Sequence, residues 1–196
     1  MTDLYLASGS PRRRELLGHT GVTFERISAE IDETPLASEN PRDYVLRLAA
    51  AKAEAGWAAM LAQGLAPRPV LAADTTVALG DVILGKPADA PDAARMLKLL
   101  SGTTHDVLTG VGLRTSAGVD VVLSSSRVTF MMLNDAQIAA YVASGEPMDK
   151  AGAYGIQGLG GLFVAELSGS FTGVVGLPLH ETALLLGRHG LGHLAG

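Results

Sequence analysis

There is no cysteine among the 196 residues. Disulfide cross-links, thiolate zinc sites and cysteine nucleophiles are therefore excluded. Positive charge is scarce as well: 15 Lys+Arg face 20 Asp+Glu, for a formal net charge of −5. A general nucleic-acid binder needs a basic surface, so no nucleic-acid polymer is expected as a partner. A small anion stays open, because local Arg and Lys clusters matter more than the total. No apolar run approaches the roughly 20 residues of a membrane helix. The first seven residues are too short and too acidic for a signal peptide. A cytoplasmic protein without a membrane partner is expected.

Several catalytic signatures are missing too. No Gly-Lys-Ser/Thr occurs, so there is no P-loop, and neither His-Glu-x-x-His nor Gly-x-Ser-x-Gly is found. Gly158, Gly160 and Gly161 lack the strand-then-helix setting of a dinucleotide fingerprint. His189 and His193 are four apart, but Gly190 and Gly192 make a rigid helical metal pair a poor reading.

What is present alternates between strand and helix. The apolar residues 4–7 read as a buried strand. Ser10 then caps a helix that Pro11 opens. Residues 22–27 read as a second strand and the acidic stretch 30–40 as a loop. Asn40 and Pro41 start a long helix with Tyr44, Leu48, Ala51 and Ala55 along one face, and Lys52 just beyond it. An apolar strand over 70–73 continues through Asp74-Thr75-Thr76 to 79. Gly80-Asp81 turns it back into 82–84. A helix over 91–100 stops at Ser101-Gly102. Strands over 107–114 and 119–130, a helix capped by Asn134, a strand over 162–167 and a helix over 179–186 complete the chain. The composition, 47% hydrophobic and 18% charged, suits a globular protein. The mixture of elements makes it α/β with a mixed sheet. The glycine-rich tail after about residue 187 is expected to fray.

Two distant segments carry the chemistry. In Ser8-Gly9-Ser10-Pro11-Arg12-Arg13, small residues and two guanidiniums stand where a strand meets a helix start. Such a start offers unpaired amides and a positive dipole end to an anion, and Arg adds forked donors that match phosphate oxygens. An ordinary turn with two solvated arginines fits the segment alone equally well. Asp149-Lys150-Ala151-Gly152-Ala153-Tyr154-Gly155-Ile156-Gln157-Gly158 puts an acid, a base and an amide in a glycine-rich loop. Gln157 offers a donor and an acceptor together, which suits a pyrimidine edge.

Asp74 ends an apolar strand. A buried carboxylate is costly unless something holds it. It could activate water, bind a divalent cation, or cap a turn. Thr75 could give a hydroxyl to a base edge or simply fill the strand. Lys86 before Pro87 is held extended and suits a phosphate oxygen, though an exposed loop lysine is the plainer reading. Glu30, Asp32 and Glu33 could offer oxygens to Mg²⁺ or Mn²⁺, although acidic surface loops are common.

Taken together, the first segment, Ala73-Asp74-Thr75, Gly85-Lys86-Pro87, Ser101-Gly102, the late glycine loop and Val175-Gly176-Leu177-Pro178-Leu179 resemble the Maf family of nucleoside triphosphate pyrophosphatases. The resemblance runs from about residue 3 to 187. It implies a single Maf-like domain over 1–196, with two lobes sharing one elongated mixed sheet and a central cleft. That fold is related to inosine triphosphate pyrophosphatases. It also implies a cytoplasmic homodimer, a divalent metal (Mg²⁺ or Mn²⁺), and cleavage between the α and β phosphates. By the same resemblance Asp74 is catalytic and Asp74 and Glu33 hold the metal. Ser8, Ser10, Arg12, Arg13, Lys52 and Lys86 bind substrate. Arg12, Thr75 and Gln157 match the branch acting on dTTP and UTP. A pyrophosphatase for 7-methyl-GTP and a nucleotide-binding regulator of septum formation without turnover are the alternatives. Family members often have Asn where Gly173 stands and Thr where Ser126 stands.

Overall fold

A computed structural model describes residues 2–192. Residues 193–196, which include His193 and the end of the tail expected to fray, lie outside the described residues.

The strands are β1 (Leu4–Leu6), β2 (Phe24–Arg26), β3 (Val70–Leu79), β4 (Val82–Leu84), β5 (Thr104–Thr115), β6 (Gly118–Phe130) and β7 (Val164–Ser168). The helices are α1 (Pro11–Gly18), α2 (Pro41–Ala62), α3 (Ala90–Leu100), α4 (Asp135–Ala143), α5 (Phe171–Val175) and α6 (Leu179–Arg188). The strands hydrogen-bond in the order β2-β1-β3-β5-β6-β7, with β4 on β3. β1 pairs parallel with β2 and β3, whereas β3–β4 and β6–β7 are antiparallel. The fold is α/β with a mixed sheet, as the alternation of elements implies.

The chain divides into two compact units. The first takes in residues 2–74, 109–124 and 176–192. Its core packs Tyr5, Ala7, Ile27, Ala53, Met60, Val70 and Ala72. The buried face of α2 is Val45, Leu48, Ala49, Ala53, Gly56 and Met60, which differs from the Tyr44–Leu48–Ala51–Ala55 stripe read from the sequence. Alanine is apolar enough for either face, so the pattern is shallow. Glycines decide the matter. A Cβ on Gly110 would sit 2.7 Å from the Val45 carbonyl oxygen, and one on Gly112 would sit 2.8 Å from that of Ala49. Backbone of β5 therefore touches backbone of α2. α6 runs to Arg188, and the His189 ring lies 2.7 Å from an Asp120 carboxylate oxygen.

The second unit takes in 75–108 and 125–175. Val77, Leu97, Leu100, Val107, Val128, Phe130, Tyr141, Tyr154 and Phe163 form its centre. The expected strand over 162–167 starts later, at Val164, because Leu159–Phe163 winds as a 3₁₀ turn and leaves Leu162 exposed. Further 3₁₀ turns at Glu146–Asp149 and Ala151–Ala153, and the short α5, were not anticipated from the sequence.

Candidate active site

In the first unit, Ser10 caps α1 by accepting from the Arg13 amide at 3.4 Å, and Ser8 Oγ accepts from the Ser10 amide at 3.2 Å. Pro11 fills the first helical position. Both serines thus shape the start of α1. Arg12 is half-buried at this end. Arg13 turns inward, and its Nε donates to the Gly176 carbonyl at 2.8 Å. The Val175–Pro178 stretch therefore has a structural role, since its Gly176 oxygen pins the guanidinium. Burial pushes the Arg13 guanidinium below its usual range, while the charges of Asp74 and Glu33 pull it back up.

Asp74 lies on β3 and is buried. Lys52 extends from α2 so that its Nζ lies 2.6 Å from Asp74 Oδ1 and 2.7 Å from Glu33 Oε1. One ammonium thus gathers the two carboxylates. The acidic loop that carries Glu33 is tied to α2. Tyr44 donates its hydroxyl to the Glu33 carbonyl at 2.9 Å. Arg47 forks onto Glu39 at 2.6 and 2.7 Å and reaches the Thr34 carbonyl at 3.2 Å. That fork holds the Glu39 carboxyl down to about 2. Burial, then the negative charges of Asp74 and Glu33, push the Tyr44 phenol up to about 12. Sequence reasoning missed Tyr44 and Arg47 as supports of this loop. The signal was available: both lie within the first two turns after the Asn40 cap, next to the acidic stretch. Glu30 and Asp32 do not join the gathered pair; Asp32 instead accepts from the Thr34 amide at 2.9 Å.

Among the described residues, no group of three or more His, Asp or Glu side chains converges as a resident metal centre would. Two carboxylates brought together on a cation are nevertheless the donor set of an Mg²⁺-type ion, which commonly takes one or two carboxylates and completes its shell from substrate phosphates. Asp74 and Glu33 fit that requirement.

In the second unit, Thr75 is half-buried, and Lys86 and Gln157 are exposed. The Gly152 amide donates to the Gly85 carbonyl at 3.1 Å, which ties the Lys86 turn to the glycine loop. Gly152 has φ +67°, and a Cβ there would come within 2.8 Å of Val77. Strand alternation places Val77 on the same face of β3 as Thr75. Lys150 does not reach out for a ligand. Its ammonium donates to the Glu146 carbonyl and to Asp149, each at 2.6 Å. Ser126 is part of a backbone clasp: its Oγ accepts from the Ser170 amide at 2.9 Å. The Gly173 amide donates to Ser170 Oγ at 3.0 Å, so both positions that depart from the family's usual residues shape the start of α5.

A helix start, a half-buried arginine and a lysine-gathered carboxylate pair are groups whose chemistry suits a polyphosphate anion and its cation. The chain belongs to the Maf family: the family described as Maf-like protein matches residues 3–189. A Chromobacterium violaceum protein named dTTP/UTP pyrophosphatase is 54% identical over 189 residues, covering 96% of each chain. A Dechloromonas aromatica protein of the same name is 55% identical, over 95% of this chain and 97% of its own. An Escherichia coli protein, again so named, is 58% identical over 95% of this chain and 92% of its own. Among solved structures, the Staphylococcus aureus Ham1 protein aligns with a TM-score of 0.45 and 13% identity, over 65% of this chain and 71% of that one.

Proposed function

We propose that this protein hydrolyses dTTP and UTP to the nucleoside monophosphate and pyrophosphate. The observation that carries the reading is the buried Asp74 carboxylate held 2.6 Å from Lys52, with Glu33 on the same ammonium. The names of relatives at 54–58% identity support it.

The residues divide the work. Arg12, Lys52 and Lys86 bind the triphosphate and offset its charge; Ser8 and Ser10 shape the helix start that carries Arg12. Arg13 adds a fixed positive charge from behind. Asp74 accepts the proton of the attacking water as it adds to the α-phosphorus, and pyrophosphate leaves. Placement and charge stabilisation provide most of the acceleration in such transfers. Asp74 and Glu33 would hold the divalent cation, which when bound supplies charge neutralisation on the phosphate oxygens. Thr75, Gln157 and Arg12 select the base. The Gln157 amide can meet the carbonyl and N–H of a uracil or thymine edge together. A homodimer is part of the same proposal, as the family resemblance implies, and light scattering during gel filtration tests it. Among the described residues, no helix is long and apolar enough to cross a membrane.

The test is pyrophosphate release from dTTP, UTP, CTP, GTP and 7-methyl-GTP, each with Mg²⁺, with Mn²⁺ and with chelator. Turnover of dTTP and UTP well above the others, abolished by chelator, is expected. Preference for 7-methyl-GTP, or binding of nucleotide without release of pyrophosphate, would overturn the reading.

A further inference from the structure

The late glycine loop places Gln157 on a stretch with little stiffness of its own: Gly155, Gly158, Gly160 and Gly161 surround it. Its position is fixed from below. Glu146, in the turn after α4, receives three donors. Tyr141 Oη donates to its Oε1 at 2.8 Å, the Gly160 amide to Oε1 at 3.1 Å, and the Leu159 amide to Oε2 at 2.9 Å. The same Tyr141 hydroxyl accepts from the Gly155 amide at 3.1 Å. Backbone on both sides of Gln157 is therefore anchored on one carboxylate and one phenol.

The fit leaves no slack. A Cβ on Gly158 would stand 2.3 Å from Glu146 Oε2, and one on Gly160 would stand 2.6 Å from the Tyr141 hydroxyl. The Lys150 stem lies under Gly155, where a Cβ would come within 2.6 Å of Lys150 Cε, while its ammonium holds the Glu146 carbonyl. Burial works to raise the Glu146 carboxyl, but the Gly160, Leu159 and Tyr141 donors bring it below its usual range. The three donors thus favour the ionised form of this carboxyl. Neither Glu146 nor Tyr141 belongs to the glycine loop, and neither has a part in the chemistry described above.

We propose that Glu146, with Tyr141, is the positioning residue for base selection: it holds the loop so that the Gln157 amide meets the pyrimidine edge. This rests on the reading of Gln157 given under the proposed function. A glutamine reads a base only if its amide arrives at a set place; on a loose glycine loop the same side chain would meet uracil and cytosine edges alike.

The experiment compares kcat/KM for UTP and CTP in the wild type, Glu146→Gln, Tyr141→Phe, Gln157→Ala and the Glu146→Gln/Gln157→Ala pair. Inhibition by inorganic triphosphate, which carries the phosphate chain and no base, is measured alongside. Glu146→Gln puts an NH₂ group in place of one oxygen, so either the Gly160 or the Leu159 amide loses its acceptor and the loop must move. The expected result is a UTP/CTP ratio at least tenfold lower, mostly through a higher KM for UTP. Triphosphate inhibition should stay within twofold, and the pair should show no loss beyond Gln157→Ala. Tyr141→Phe should lower the ratio in the same direction, and it decides the matter if Glu146→Gln does not fold. An unchanged ratio in the folded Glu146 or Tyr141 variant, while Gln157→Ala lowers it, overturns this inference alone. An equal loss of triphosphate inhibition also overturns it, by showing a general structural effect. An unchanged ratio in Gln157→Ala overturns the reading of Gln157 itself.

Discussion

Acid is expected to weaken the second unit through His105. This ring is buried. It stands edge-on to Phe130 at 5.0 Å and to Tyr154 at 5.5 Å, with Nε2 2.8 Å from the Tyr154 hydroxyl. Among the described residues, Nδ1 has no partner. Burial alone pushes the imidazole down to about 4 from its ordinary 6.5. The folded protein therefore holds His105 neutral over a range where the unfolded chain would protonate it. Unfolding takes up a proton there, so stability is full above about pH 6.5 and declines as the pH falls toward 4. Between about pH 7.5 and 4.5 the loss from this one ring comes to about 2.5 kcal/mol. Carboxylates add their own pH dependence, so the wild type is compared with His105→Gln, which cannot titrate. Urea unfolding followed by far-UV circular dichroism should find the variant less stable near neutral pH. The gap should close by about 2.5 kcal/mol on acidification. NMR titration should show one imidazole still neutral at about pH 5. A gap that stays constant across this range, or a His105 ring that titrates near its ordinary value, would refute the reasoning.

Asp74→Asn is expected to lower kcat on dTTP by about 10² to 10⁴-fold, the usual contribution of a positioned acid or base, with a urea midpoint close to that of the wild type. Full metal-dependent turnover by this variant would remove Asp74 from the mechanism. Gly152→Ala forces a left-handed backbone, φ +67°, on alanine and drives its Cβ into Val77. It should cost about 1–3 kcal/mol in urea unfolding and raise KM for dTTP, because the loop and the Lys86 turn share the Gly152–Gly85 hydrogen bond.

Much of the fold could be read in the chain because its boundaries carry strong local signals. Ser10-Pro11, Asn40-Pro41 and Asn134 each stand at a helix start in the structure. Gly80, at φ +59°, turns β3 into β4 where Gly80-Asp81 suggested a hairpin. The side chains that gather at Asp74 were nameable from their chemistry, but their partners were not. Lys52 could be placed near an edge, yet its grip on both Asp74 and Glu33 depends on α2 lying against the glycines of β5, and no local pattern in an alanine-rich helix records that. Glu146 was overlooked for a similar reason. In Ser144-Gly145-Glu146-Pro147 it looks like an ordinary turn residue, and its three donors come from residues 5 to 14 positions along the chain. Lys150 misled in the other direction: a base in a glycine loop suggests a ligand contact, whereas here it braces the turn.

The bare backbone at Gly110 and Gly112 has an effect well beyond its own strand. Each methyl added there would lift α2, and Lys52 stands only one turn past the Ala49 carbonyl that Gly112 touches. The missing side chains thus work as a gauge block that sets how far the lysine arm can reach. An alanine at either position, remote from any nucleotide in sequence and chemically inert, would blunt the enzyme by shortening that arm's hold on its two acids.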